Sequence, residues 1–296
     1  MTEKILTLDD WGDCLRVEKG NLVYGKLKIQ PLNNRLKAVV ISTRRGFITF
    51  EAVRWLSVHE VPTFFLNFKG ELETQFAPVT QKTYTTLKLK QIQAYLNSKV
   101  RQKIAAEFVR AKIENSEKIL RELGIRTKLS RVENMAAWQY WSKLASLFNV
   151  NGFHFDRRQA RSLTSRRRAS DEINSALNYS YQILAGLCRQ ALISRGFILE
   201  VGFLHNIGLS KTPLVYDFQE LGRADIDGII LNMVRSRELK PSDFGRRYDY
   251  VSVIESKEAR FRLIERIEGN AELKCKINTS AQRLEQFLLK GRGQIL

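Results

Sequence analysis

The apolar residues change their spacing near Pro78, and that change constrains the fold more than any other feature of the chain. Before it they come in short runs: Cys14-Leu15-Arg16-Val17, Asn21-Leu22-Val23-Tyr24, Ala38-Val39-Val40-Ile41-Ser42 and Thr63-Phe64-Phe65-Leu66. Runs of this length and type read as strands, and Lys19-Gly20, Asn33-Asn34 and Lys69-Gly70 read as the turns that bound them. One short helix interrupts them, with Phe50, Val53, Trp55 and Leu56 on its apolar side. After Pro78 the period lengthens. Residues 80–123 place Leu87, Ile92, Tyr95, Val100, Ile104, Phe108, Val109, Ile113, Ile119 and Leu120 at helical intervals, among many Lys and Arg. Further helices are predicted over 130–148, 171–195, 213–235, 256–268 and 279–290. The pattern predicts an α+β chain: a small β-rich domain over 1–76, a linker at 77–80 and a larger all-α domain over 81–296.

Charge narrows the partners. The chain carries 49 Lys and Arg against 31 Asp and Glu, a net +18. Such an excess favours a polyanionic partner, because each phosphate met by a Lys or Arg releases condensed counterions. No apolar run approaches the length of a membrane span, and the opening MTEKILTLDDWGD lacks the basic-then-apolar order of a secretory signal. Cys14, Cys188 and Cys275 are scattered, never paired as CxxC, and suit a reducing cytoplasm. Between two predicted helices lies RRQARSLTSRRR, residues 157–168, holding Arg157, Arg158, Arg161, Arg166, Arg167 and Arg168 with no acid among them. Mutual repulsion in such a run is relieved by a phosphate backbone, and the segment reads as a phosphate-gripping loop for nucleic acid, with a solvated, charged linker as the other reading.

Three places carry residues able to do chemistry. Thr212-Pro213 is a good helix start, and Val215, Phe218, Gly222, Ile226, Ile229, Ile230 and Met233 recur behind it as a buried stripe. Asp217 and Glu220 lie off that stripe, one turn apart. Two neighbouring carboxylates need a positive charge between them. A divalent cation would supply it; so would Arg223 in an ordinary helix ion pair, and the spacing leaves both open. His205 stands in the glycine-flanked loop Gly202–Gly208 just before this helix, where a loop can present a ligand or simply pack. Glu133 follows Ser130 in an S-x-x-E pattern, which by itself reads as a capping box.

Taken in order, several segments resemble one family. ISTRRGFITFEAVRWLSVHEVPTFFLNFKGEL (41–72), VENMAAWQYW (132–141), DEINSALNYSYQIL (171–184), ALISRGFILEVGFLH (191–205) and LVYDFQELGRADID (214–227) are together similar to the Cas-one family, the CRISPR-associated endonuclease and integrase of spacer acquisition. The resemblance implies a metal-dependent enzyme that joins the 3′-hydroxyl ends of a short prespacer DNA to the CRISPR repeat beside its leader. It implies Mg²⁺ or Mn²⁺ held by Glu133, His205 and Glu220, with Asp217 in a supporting role, and so displaces the capping-box reading of Glu133. Lys211 and Arg223 flank these positions and are expected to hold phosphates alongside the arginines of 157–168. A homodimer built through the β-rich domain, and a small ferredoxin-like CRISPR adaptation protein as partner, are implied as well. The residues before His205 depart from the family's Pro-Gly-like turn, and the arginine run is richer than the family pattern. A structure-selective DNA nuclease, a transposon-type integrase of the same fold and a non-catalytic DNA-binding scaffold are the rival readings.

Overall fold

The computed structural model describes residues 4–31, 36–43, 45–66, 72–76, 82–155, 157, 169, 171–206, 208, 212–247 and 251–296. The chain divides into two compact units, Met1–Lys88 and Leu89–Leu296. The expected linker at 77–80 lies outside the described residues.

The first unit is strand-rich. It contains β1 (Lys4–Leu8), β2 (Asp13–Glu18), β3 (Asn21–Tyr24), β4 (Leu27–Ile29), β5 (Leu36–Ile41), β6 (Gly46–Ile48), α1 (Phe50–Val58), β7 (Thr63–Leu66) and β8 (Leu72–Phe76). One sheet runs β1-β5-β7-β8 and the other β4-β3-β2-β6. In the first, β1, β5 and β7 are parallel and β8 is antiparallel to β7. In the second, β2 pairs antiparallel with β3 and parallel with β6, which returns from the other sheet. Leu8, Val39 and Ile41 of one sheet, Leu15 and Leu22 of the other, and Ala52, Trp55 and Leu56 of α1 share a single apolar core. Thr49 caps α1 by accepting from the Ala52 amide at 3.1 Å, and the Trp55 indole donates to the Gly20 carbonyl at 2.9 Å. Phe50, expected on the apolar face of this helix, is exposed at its first position. The start of the helix lies outside the core, and burial begins at Ala52.

The second unit is helical: α2 (Lys82–Leu96, which straddles the boundary), α3 (Ser98–Glu122), α4 (Glu133–Leu144), α5 (Glu172–Ile193), α6 (Pro213–Gln219), α7 (Arg223–Arg235), α8 (Lys257–Glu268) and α9 (Ala271–Lys290). It also holds a hairpin, β9 (Phe244–Arg247) and β10 (Val251–Ile254), so the expectation of an all-α domain is corrected here. α5 packs against α6, α7, α8 and α9 and is buried on nearly every side, with Ile173, Leu177, Leu184 and Leu192 fully covered.

Two predicted helices are each split. The 80–123 stretch breaks at Asn97, whose side chain accepts from the Val100 amide at 3.2 Å and starts α3 afresh. Asparagine competes for backbone hydrogen bonds and favours such caps. The 213–235 stretch breaks over Glu220–Gly222, where the Leu221 and Gly222 amides close short turns onto Phe218 and Gln219. A Cβ on Gly222 would lie 2.9 Å from side-chain carbons of both Leu184 and Leu273, so this corner packs tightly because glycine occupies it. The last helix begins at Ala271, eight residues earlier than expected, capped by Asn270 on the Leu273 amide at 2.9 Å.

Candidate active site

Glu220 sits at the α6–α7 corner, buried to 4 % exposure, between two cations. Its Oε1 is 2.6 Å from Arg223 Nη1 and its Oε2 is 2.8 Å from Lys112 Nζ on α3. The same ammonium donates to Glu133 Oε1 at 2.8 Å. Two carboxylates from different helices therefore meet at one positive charge. Burial would raise the Glu220 carboxyl, but Arg223 and Lys112 outweigh it and hold it down to about 2. Burial would likewise lower the Lys112 amine, and the two glutamates reverse this and hold it above the ordinary lysine value.

Glu133 is the first residue of α4, and the capping box is not made. Val132 occupies the cap position with no side-chain hydrogen bond, while Ser130 Oγ accepts from the Val132 amide at 3.1 Å. The carboxylate, drawn to the Lys112 charge, reaches across to α3 rather than back to its own helix start.

His205 is placed by Asp217. This aspartate is fully buried and accepts from the amides of Phe203 (2.5 Å), Leu204 (3.1 Å) and His205 (2.9 Å), so the loop is folded around one carboxylate. Its Oδ1 also lies 2.8 Å from His205 Nδ1. A carboxylate accepts only, which places the proton on Nδ1 and leaves Nε2 as the basic nitrogen of a ring whose side chain is 41 % exposed. The close approach requires Gly202: a Cβ there would come within 2.8 Å of Pro213 and 3.0 Å of Asp217 Oδ2. Gln91 on α2 ties the loop from the other side, donating to the carbonyls of Ile198 and Val201, both at 2.8 Å. Arg101 on α3 donates to the Phe203 carbonyl at 3.2 Å and to Asn206 Oδ1 at 2.6 Å.

A second polar network sets the helices behind these residues. Asp227 on α7, buried, accepts from the Tyr140 hydroxyl of α4 at 2.9 Å and the Tyr181 hydroxyl of α5 at 2.5 Å. One turn beyond Lys112, Asn115 donates to the Leu221 carbonyl at 3.1 Å and to Asp225 at 2.7 Å, and Lys276 of α9 closes on Asp225 at 2.6 Å. The corner bearing Glu220 is thereby fastened to the helix bearing Lys112.

Glu133 and Glu220 are thus brought together, while His205 contacts Asp217, one helical turn from Glu220. Among the described residues no three His, Cys, Asp or Glu side chains are gathered closely enough to hold an ion. The ammonium of Lys112 stands between the two glutamates. The donor chemistry nevertheless suits a hard divalent cation, with two carboxylates and one imidazole nitrogen. Glu220 Oε2 is moreover buried with no aligned hydrogen bond, so its lone pairs are only loosely engaged. Arg223, expected at the DNA, is paired with Glu220 and lies 4.6 Å over the Tyr181 ring, with a third of its side chain exposed. Arg157 is exposed, whereas Arg158, Arg161, Arg166, Arg167, Arg168 and Lys211 lie outside the described residues. Tyr181 is no free nucleophile, because its hydroxyl is committed to Asp227. Lys112, Gln91, Arg101 and Asp227 carried no signal in the sequence. They stand in ordinary helical patterns and meet the site only through folding.

Comparison with known families agrees with this architecture. The family model described as CRISPR associated protein Cas1 matches residues 6–129 and 122–269. The chain belongs to the Cas1 family. Its sequence is 27 % identical to the CRISPR-associated endonuclease Cas1 of Archaeoglobus fulgidus, over 82 % of this chain and 81 % of that one. Among solved structures, a casposase bound to integration product superposes with a TM-score of 0.74 at 23 % identity, covering 99 % of this Cas1 family member and 97 % of the casposase. A chain of a partial Cas6-RT-Cas1–Cas2 complex superposes with a TM-score of 0.69 at 19 % identity, covering 98 % of this chain and 97 % of that one. At these identities the two structures speak for the fold.

Proposed function

We propose that this chain is the integrase and endonuclease of CRISPR adaptation and that its chemistry is centred on Glu133, Glu220 and His205. The observation that carries the reading is the meeting of two carboxylates, from α4 and the α6–α7 corner, on one cation, with the imidazole oriented by Asp217 one helical turn before Glu220. Family membership supports a metal-dependent DNA enzyme; the choice of Mg²⁺ or Mn²⁺ rests on the mixed oxygen and nitrogen donors. When bound, the ion polarises the scissile phosphate and stabilises charge on its oxygens.

The chain's own residues do the rest. Glu220, ionised down to low pH, and Glu133 provide the anionic oxygens. Asp217 keeps the His205 proton on Nδ1, so that Nε2 is presented as the donor. Arg223 stands beside Glu220 to steady the phosphate being transferred. In strand transfer the 3′-hydroxyl oxygen of the prespacer forms a new P–O bond as a P–O bond of the repeat breaks, leaving a 3′-hydroxyl on the repeat strand. With water as attacker the same residues give nicking.

The arginines of 157–168 and Lys211 are assigned to the DNA backbone, in keeping with the net charge of +18. Two ends to join call for two sites, hence a homodimer through the strand-rich unit, with a small ferredoxin-like adaptation protein as partner. The likeness to a chain of a partial Cas6-RT-Cas1–Cas2 complex supports a protein partner. Among the described residues no helix is long and apolar enough to cross a membrane, and we assign the protein to the prokaryotic cytoplasm.

Integration of a short duplex with 3′-hydroxyl ends into a repeat-bearing plasmid, in Mn²⁺ or Mg²⁺, tests the reading. His205→Ala and Glu220→Ala are expected to lower joining by at least about a hundredfold, as loss of a metal ligand does. Unchanged joining by either variant overturns the site assignment. Metal-dependent cleavage without joining favours the nuclease.

A further inference from the structure

Among the described residues Lys112 is the one cation that meets both glutamates, and the proposed reaction gives it no role. Its ammonium lies 2.8 Å from an oxygen of each, in the space that a divalent ion held by both carboxylates would take. We infer that Lys112 is a stand-in cation, holding Glu133 and Glu220 together until a divalent ion replaces its ammonium. The inference rests on the metal-site reading above.

The charges argue for it. Without Lys112, Arg223 compensates Glu220 alone, and Glu133 is left facing a second, buried carboxylate at the cost of like-charge repulsion. With the ion bound, an ammonium close by sets four positive charges, Arg223 included, against two negative ones, and repulsion at close range expels it. The geometry allows the exchange. Lysine is a point charge on a flexible stem, not a two-pronged clamp, and the Lys112 side chain is 25 % exposed. Its approach to Glu220 Oε2 is an ion pair without hydrogen-bond alignment, the looser of the two. Glu133, 37 % exposed, is free to swing as the ammonium leaves.

Two measurements on the full-length protein decide the matter. The first is calorimetric titration of Mn²⁺, without DNA, into wild type, Lys112→Met, Lys112→Arg and Glu220→Gln. Lys112→Met is expected to bind on the order of tenfold more tightly or better, since it removes the competing charge. Lys112→Arg, which keeps a cation between the glutamates, is expected to match or fall below wild type. If Lys112→Met binds no more tightly while Glu220→Gln still loses binding, the stand-in role is overturned and the metal site stands. If wild type binds no Mn²⁺ in a Glu220-dependent way, the metal-site reading itself fails. The second is reductive methylation of wild-type lysines, read by peptide mass spectrometry with and without Mn²⁺. Lys112 labelling is expected to rise several-fold when Mn²⁺ is added. Unchanged labelling under conditions where Mn²⁺ binds overturns the inference even if Lys112→Met does not fold.

Discussion

Asp217 shows how one buried side chain can organise a loop. It has no exposed surface, and every acceptor position it offers is used by the His205 loop: three consecutive amides and one ring nitrogen. Asparagine has the same size but replaces one acceptor oxygen with a donor NH₂, which would face N–H groups that already donate. Asp217→Asn is therefore expected to cost about 2–3 kcal/mol of stability by stranding buried donors. It is also expected to weaken Mn²⁺ binding by about 10–100-fold, by releasing the His205 tautomer and orientation. Denaturant unfolding and Mn²⁺ titration read the two effects separately. A variant that matches wild type in both would show that Asp217 does not position His205.

Elements meet at this site through two tight joints. The loop from Phe197 to Asn206 is anchored to α2 by Gln91, to α3 by Arg101 and to α6 by Asp217, so three helices determine where His205 stands. Its approach to α6 is close enough that any side chain at position 202 would strike the Pro213 backbone, which cannot swing aside as a side chain can. Gly202→Ala is expected to lower stability by about 1–3 kcal/mol, the usual cost of overpacking, and to loosen the amide cradle around Asp217. Thermal unfolding followed by circular dichroism measures the first effect, and amide hydrogen exchange at 203–205 the second. Unaltered exchange at those amides would show that the loop tolerates the added methyl. The second joint is the α6–α7 corner. By interrupting what the apolar stripe suggests is one helix, it turns Glu220 inward against Lys112 while Asp217 faces the loop.

Across the whole chain the dominant physical quantity is charge. A net +18 with an arginine-rich stretch at 157–168 predicts DNA binding that falls steeply with salt. Replacing the six arginines of 157–168 by glutamine is expected to reduce the slope of log affinity against log salt by up to about five, near 0.9 for each phosphate no longer neutralised. Fluorescence anisotropy on a short duplex, over about 50–200 mM salt, gives the slope directly. A slope that does not change would assign the electrostatic binding to other lysines and arginines. The variant's Mn²⁺ affinity is expected to stay at the wild-type value, since Glu133, Glu220 and His205 are untouched.

Much of this was legible in the chain before folding. The change of apolar period near Pro78 separates a strand-rich from a helical region, because strands and helices bury side chains at different periods. The segments resembling one family single out Glu133 and Glu220, which meet at Lys112, and His205 and Asp217, which meet each other. Short strands such as β4 and β6 were not legible, since three residues carry no period, and the β9–β10 hairpin hides among charged residues. Asn97 and Gly222 break helices through a cap and a packed corner, which periodicity does not report. Lys112 is one of many lysines on a basic helix, and nothing local distinguishes it. Its meeting with Glu133, 21 residues on, and with Glu220 depends on how α3, α4 and the α6–α7 corner pack. Local propensity and charge are properties of a segment, whereas a site shared by three segments exists only once the buried bonds of Asp227 and Asp217 and the half-buried one of Asn115 have brought them together.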